Sequence, residues 1–137
     1  MSPVIDRLAE LRLQLDHLYE LRPRVTGPEI LRRDLSLRND LLRALQIVCQ
    51  AVIDIASELS ARRMRRFQTY NEAVQNLAAF PEFPLNMSRD LEGLPGFRNI
   101  LVHEYATLDY ERVIEALDHL EPIEQFVEIV RQIEAAS

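Results

Sequence analysis

The chain has 137 residues, 47% of them hydrophobic and 28% charged, with a formal net charge of −6. This length and composition suit one globular domain, residues 1–137, with a self-sufficient core. The negative charge does not suggest a nucleic-acid binder.

The first part of the chain predicts two helices. Apolar residues recur at spacings of three and four at Val4, Leu8, Leu11, Leu15 and Leu18. Pro23 and Gly27 break this pattern, and Pro28 is well placed in the first turn of a second helix. The second helix keeps an apolar face as far as about Ser60, so we expect one long helix there.

Shorter elements follow Ser60. The stretch TYNEAVQNLAAF predicts a short helix that is capped by Thr69 or Asn71 and stops at Pro81. PEFPLNMSRDLEGLPG is rich in helix breakers and predicts a loop that holds at most one helical turn.

Two further helices are expected at the end of the chain. One begins in the stretch GFRN and runs to about Ala106, and the last opens at Asp109 and bends near Pro122. No segment has the period of a strand, and no internal repeat is present. We therefore predict an all-α fold, an up-and-down bundle of four to five helices.

Polar side chains interrupt the apolar stretch GFRNILVHEY, residues 96–105. Arg98 falls in or near the first helical turn, where a cation opposes the helix dipole unless an anion is bound there. Asn99 and His103 are spaced to share a helix face, so the amide can orient the imidazole or a substrate. The imidazole can move a proton at neutral pH, and the guanidinium can neutralise charge on a phosphate. This pair is suited to metal-free cleavage of a phosphodiester.

Such cleavage normally needs an acid and a base, but the stretch contains one histidine, His103. A two-fold homodimer would bring two copies of the stretch to one cleft, and we expect the site at that interface. On spacing alone, however, a lone histidine on a helix is more often structural than catalytic.

A family resemblance favours the catalytic interpretation. RNILVHEY resembles the R-x4-H-x-Y signature of the HEPN superfamily, in particular that of the HepT-like toxins of HEPN–MNT toxin–antitoxin systems. LRNDLLRALQIVCQAVIDIASEL is similar to the long second helix of that family, and LEGLPGFRNILVHEYATLDYERVIEAL is similar to its motif helix and the segment after that helix. The resemblance covers most of the chain and implies a HEPN-like, homodimeric bundle.

The resemblance also implies an activity and roles for single residues. Arg98 and His103 match the catalytic pair, Asn99 and Asp54 match supporting polar residues, and Tyr105 matches a tyrosine that a nucleotidyltransferase antitoxin adenylylates. The implied activity is that of a metal-independent, cofactor-free endoribonuclease toxin of a type VII-like pair, with tRNA among the targets. If the helix continued to Tyr105, that side chain would lie on nearly the same face as Arg98, and a nucleotide there would compete with RNA.

Other interpretations stay open. The chain can be a HEPN module that binds nucleotide, RNA or a nucleotidyltransferase partner without cutting, as its acidity favours, or a plain structural dimer. An arginine cluster (Arg62, Arg63, Arg65 and Arg66) can dock RNA, or it can be a solvated helix end. Asp54 lies on an apolar face and should have a partner, either Arg98 or a structural arginine.

The cysteine, the other histidines and the N-terminal segment indicate where the protein is located and argue against a disulfide or a zinc site. Cys49 is the single cysteine, which rules out an intramolecular disulfide, and it reads as a core residue. Cys49 and the three scattered histidines do not have the spacing of zinc ligands. His17 and His119 have no neighbours of catalytic type. The start is too acidic for a signal peptide, and no apolar run approaches the ~18 residues of a membrane span, so we expect a cytoplasmic protein.

Overall fold

The computed structural model describes residues 2–137, and in that part of the chain the regular structure is entirely helical. The α-helices are α1 (Pro3–Leu21), α2 (Pro28–Arg33), α3 (Leu35–Arg62), α4 (Tyr70–Gln75), α5 (Leu85–Leu91), α6 (Leu94–His103), α7 (Tyr110–Leu117) and α8 (Glu121–Ala136). The longest helix, α3, packs most extensively against α1 and then against α6, while α1 also packs on α8. The predicted all-α class is confirmed.

Helix α1 forms where its leucine spacing predicts. The Ser2 hydroxyl accepts a hydrogen bond from the Val4 amide at 3.1 Å and caps the helix, and Pro3 occupies its first turn. Leu11, Leu15 and Leu18 of the apolar stripe are fully buried, and Leu8 is partly buried against the same core. Every third or fourth residue of α1 therefore contributes to the core.

The expectation of one continuous helix from Pro28 to Ser60 is wrong at its start. Asp34 has an extended conformation that separates α2 from α3, and its carboxylate accepts a hydrogen bond from the Leu37 amide at 3.0 Å. Arg38 donates to the Leu31 carbonyl at 3.1 Å and so gives a carbonyl group at the end of α2 a hydrogen-bond partner. The aspartate inside the apolar pattern is therefore the N-cap of the long helix.

Helix α3 forms the centre of one continuous apolar core. By length and composition it is the one helix within residues 2–137 that could cross a membrane, but 61% of its most apolar window is buried against other helices. Cys49 is buried in this core, and burial raises the pKa of its thiol to about 12. The apolar character of α3 is thus accounted for by packing.

The second half of the chain contains more helix than its breakers indicate. Thr69 caps α4 as expected, but the predicted loop contains the two-turn helix α5. The last helix does not bend at Pro122. Instead α7, which Asp109 caps, ends before a new helix, α8, whose first turn contains Pro122. A proline fits that position because the first-turn amides have no partner in the helix.

Helix α3 ends in a left-handed residue that is not glycine. Met64 has φ 58°, its amide donates to the Ala61 carbonyl at 3.1 Å, and the Arg65 amide donates to the Ser60 carbonyl at 2.8 Å. This is the hydrogen-bond pattern of a Schellman motif, whose left-handed position usually holds glycine. The Met64 side chain is 91% exposed, so it gains little from packing.

We expect Met64→Gly to raise the free energy of unfolding by about 1 kcal/mol, because it removes the steric cost of a Cβ at positive φ. Urea denaturation measures the change. Met64→Ala is the matched control, because it also removes the long side chain but keeps the Cβ and should stay near wild type. Equal stability of the two variants would contradict the strain argument.

Candidate active site

Helix α6 presents the polar residues of the motif at the edge of the core. Phe97 and Leu101 are buried, whereas Asn99 and His103 are exposed. The helix begins at Leu94 with Pro95 in its first turn, so Arg98 lies in the second turn. The predicted conflict between Arg98 and the positive end of the helix is therefore smaller than expected.

A line of polar side chains on α3 faces this motif. It consists of five residues at spacings of three and four: Asn39, Arg43, Gln46, Gln50 and Asp54. At 100° per residue they fall within about 80° of one another on the helix, and we call them the polar stripe of α3. The buried residues of α3 lie outside this stripe and, apart from Ser60, are apolar. The stripe is thus the side of the central helix that contacts the motif segment.

Arg98 is fixed by two hydrogen bonds. Its Nε donates to Oε1 of Gln50, in the polar stripe, at 2.9 Å, and its Nη1 donates to Oδ1 of Asn99 at 3.1 Å. The other N–H groups of the half-buried guanidinium remain for a ligand. Asn99 therefore contacts the arginine, and not the imidazole that its helical spacing suggested.

Asp54 has the arginine partner that its position predicts, and that partner is not Arg98. Its Oδ2 lies 3.6 Å from Nε of Arg7 on α1, and its Oδ1 accepts a hydrogen bond from Nε2 of Gln50 at 2.8 Å. The pair with Arg7 is loose, since the Arg7 side chain is 59% exposed, and contributes at most about 1 kcal/mol. Asp54 reaches Arg98 only through Gln50.

His103 is the last residue of α6, and its exposed imidazole makes no hydrogen bond within residues 2–137. The helix ends here and does not reach Ala106, so the helical projection that placed Tyr105 on the face of Arg98 is wrong. Glu104 is the C-cap, and Tyr105–Thr107 form a 3₁₀ turn.

Tyr105 instead reaches the other end of the polar stripe. Its hydroxyl donates to Oδ1 of Asn39 at 2.5 Å, and the side chain remains 44% exposed. Because Arg98 contacts Gln50 and Tyr105 contacts Asn39, the motif segment runs antiparallel to α3. It is attached to α3 by a hydrogen bond on each side of His103.

The arginine cluster is mostly engaged within the fold. Arg62 pairs with Glu134 at 2.9 Å, Arg65 donates to Asn76 at 3.1 Å, and Arg63 binds Glu82 with both nitrogens of its fork. The hydrogen bonds from Arg63 lower the pKa of the Glu82 carboxyl. Three of the four therefore act as structural residues at the end of α3, and RNA docking by the cluster stays a prediction.

Three residues that contact the predicted site residues were not identified from the sequence: Gln50, Asn39 and Arg7. Gln50 precedes Asp54 by one helical turn, a spacing that permits their contact but does not predict it. Asn39 and Arg7 carry no local signal for their partners.

His17 also differs from expectation, because its Nε2 lies 2.8 Å from the Asp40 carboxylate. No cluster of metal-ligating side chains occurs within residues 2–137.

Comparisons with known proteins identify similar chains. The family model described as ribonuclease HepT-like matches residues 11–130. The chain is 29% identical to the mRNA nuclease HepT of Shewanella oneidensis over 102 residues, which are 73% of this chain and 77% of that one. It is 33% identical to the tRNA nuclease HepT of Aphanizomenon flos-aquae over 92 residues, which are 66% of this chain and 61% of the relative.

Solved structures share the fold. A tri-AMPylated Shewanella oneidensis HEPN toxin, in complex with an MNT antitoxin, superposes with a TM-score of 0.82 at 24% identity, over 96% of this chain and 99% of that one. A toxin–antitoxin structure with AMP-PNP gives a TM-score of 0.80 at 24% identity, over 95% and 99% of the two chains. At this identity the likeness supports the fold and not the chemistry.

We expect Tyr105→Phe to lower the free energy of unfolding by about 0.5 kcal/mol, because it removes an exposed hydrogen bond to Asn39. In an Asn39→Ala background the same substitution should change nothing further. Chemical denaturation of the four proteins gives both values. Tyr70→Phe is the control, since Tyr70 is 47% exposed against 44% for Tyr105. Equal effects of Tyr105→Phe in both backgrounds would show that the hydroxyl is not bound to Asn39.

Proposed function

We propose that this chain, which belongs to the ribonuclease HepT-like family, is the endoribonuclease toxin of a HEPN–MNT toxin–antitoxin pair. Its family makes it a ribonuclease, and both named relatives are nucleases that act on RNA. The similar Shewanella oneidensis toxin forms a complex with an MNT antitoxin, which supports a nucleotidyltransferase partner for this chain. We place the whole activity in one cytoplasmic domain.

One observation carries the catalytic assignment. His103 is exposed and has no partner within the described residues, and Arg98, in the same helix, is held on α3 with part of its guanidinium unused. A group that transfers protons must reach a substrate, and a group that stabilises charge must be held in place before the charge develops. We therefore assign proton transfer to His103 and binding of the scissile phosphate to Arg98, next to Asn99.

The proposed reaction is an internal transesterification of RNA. The 2′-hydroxyl oxygen attacks the adjacent phosphorus, and its proton passes to an imidazole. The bond from phosphorus to the 5′-oxygen breaks, and that oxygen takes a proton from a second imidazole. The products are a 2′,3′-cyclic phosphate end and a 5′-hydroxyl end. Arg98 stabilises the additional negative charge on the phosphate oxygens in the transition state.

The requirement for two imidazoles leads to a homodimer. Each chain offers one histidine in the motif, so two copies of His103 across a two-fold axis would supply the acid and the base. The dimer interface would then include the exposed side of α6. RNA affinity would come from Arg98 and from exposed arginines such as Arg66, because the net charge of −6 gives no general attraction for phosphate.

We propose Tyr105 as the residue that the antitoxin modifies by adenylylation. Its side chain is 44% exposed, and it lies two residues beyond His103. A nucleotide at Tyr105 brings a phosphate and a bulky base to the segment that carries the imidazole. Both would exclude RNA from the site.

His103→Ala should abolish the growth arrest that induced expression of the native chain causes, and the RNA cuts should disappear with it. The physical reason is the loss of the group that moves the proton. Growth curves, followed by sequencing of RNA ends, measure both effects and identify the RNA. His119→Ala is the matched control, because His119 is also exposed but lies outside the site, with Nδ1 bonded to the Glu115 carbonyl at 2.7 Å. Equal behaviour of native chain and His103→Ala would favour a module that binds without cutting.

Cleavage by the purified protein should persist in excess chelator. Proton transfer by His103 and charge stabilisation by Arg98 are sufficient for the proposed reaction, so removal of divalent cations should not lower the rate more than about twofold. A gel assay on a short labelled RNA with and without chelator measures this. Loss of cleavage that added magnesium restores would show that the metal-free mechanism is wrong.

A further inference from the structure

A chain of polar contacts links Arg98 on α6 to Arg7 on α1 through two residues of the polar stripe of α3. Gln50 accepts a hydrogen bond from Nε of Arg98 at 2.9 Å and donates one to Oδ1 of Asp54 at 2.8 Å. The other Asp54 oxygen lies 3.6 Å from Nε of Arg7. The order of the contacts is therefore Arg7, Asp54, Gln50 and Arg98, across helices α1, α3 and α6.

The chemistry of these groups fixes the direction of the amide. The Nε–H of Arg98 can only donate, so it must meet the oxygen of the Gln50 amide. The amide nitrogen then faces Asp54, whose ionised carboxylate can only accept. Asp54 and Arg98 thus require the same orientation of Gln50. A flipped amide would set donor against donor on one side and acceptor against acceptor on the other.

The neutral amide also suits an arginine that binds phosphate. A carboxylate in the place of Gln50 would hold the guanidinium more strongly, but it would offset the positive charge that a phosphate needs. The amide occupies Nε and leaves the net charge of Arg98 unchanged. It therefore restricts a long, flexible side chain without weakening its attraction for an anion.

We propose that Gln50 is a positioning residue of the ribonuclease site. It holds the guanidinium of Arg98 in the orientation that receives the scissile phosphate, and Asp54 with Arg7 holds Gln50. This inference rests on the proposed function for the role of Arg98 and goes beyond it in assigning the residue that orients Arg98. In this proposal Gln50 acts through Arg98, which it orients, and takes no part in the bond changes itself.

Gln50→Met tests the proposal, because methionine has nearly the same volume and neither hydrogen bond. We expect kcat for RNA cleavage to fall about ten- to a hundredfold, with a smaller change in KM, because a displaced guanidinium no longer meets the developing charge. Gln46→Met is the matched control. Gln46 lies one turn earlier in the polar stripe, is also partly buried, and makes no side-chain hydrogen bond within the described residues.

Arg98→Lys separates positioning from general packing. Lysine keeps the positive charge, but it lacks the guanidinium Nε–H group that donates the hydrogen bond to Gln50. In this background Gln50→Met should cause no further loss of kcat, whereas a role in stability alone would give the same loss in both backgrounds. A fall in thermal stability of Gln50→Met with unchanged kcat would also overturn the proposal.

Nuclear magnetic resonance gives a result that does not depend on cleavage. The Nε–H of Arg98 should give a solvent-protected resonance, which Arg98→Lys identifies by its loss. Gln50→Met should remove the protection, and Gln46→Met should keep it. If the resonance is unprotected in the wild type, or unaffected by Gln50→Met, the positioning role is overturned. If the Arg98 resonance behaves as expected but the protein cuts no RNA, the ribonuclease assignment fails. Gln50 would still be the residue that orients Arg98.

Discussion

The candidate site depends on one constraint, which is that α3 must be both the central core helix and the support of the motif. Half of its residues are buried, nearly all of them apolar, and it packs against α1, α6 and other neighbours. A polar group in such packing is costly unless it has a partner, and Gln50 and Asn39 of the polar stripe have theirs in the motif segment. The motif segment lies where these residues find their partners. The geometry of Arg98 and Tyr105 is therefore set by the helix they pack on more than by their own helix.

This arrangement explains why the two motif residues with hydrogen bonds to α3 are the ones that flank the histidine. Arg98 and Tyr105 are attached to Gln50 and Asn39, while His103 between them makes no side-chain hydrogen bond within residues 2–137. A rigid support on either side restricts where the imidazole can be, and yet leaves its nitrogens available. Because these side chains are already ordered in the folded protein, the entropy cost of ordering them falls on folding and does not weaken substrate binding.

The class of fold, the first helix and the caps Thr69 and Asp109 could be predicted because each depends on residues close in sequence. The break at Asp34 could not, because an aspartate in an apolar pattern is compatible with a helix interior and with a cap. Pro122 is similar, since a proline can bend a helix or begin one. In the candidate site, the motif pointed to Arg98 and His103 as candidates, but Gln50 and Asn39 are distant in sequence from the residues they bind. Those contacts depend on how α6 packs along α3, and helical spacing within one segment carries no information about that.

The hydrogen bond between Tyr105 and Asn39 has a consequence for any chemistry at the phenol. The bond exists because the tyrosine oxygen carries a hydrogen that the amide oxygen accepts. An ester at that oxygen replaces this hydrogen, so the ester and the bond cannot coexist. Modification would therefore remove this contact between the 3₁₀ turn Tyr105–Thr107 and α3, apart from any steric effect of the added group. The covalent state of one oxygen atom would then decide whether the connection between α6 and α7 keeps this bond to the central helix.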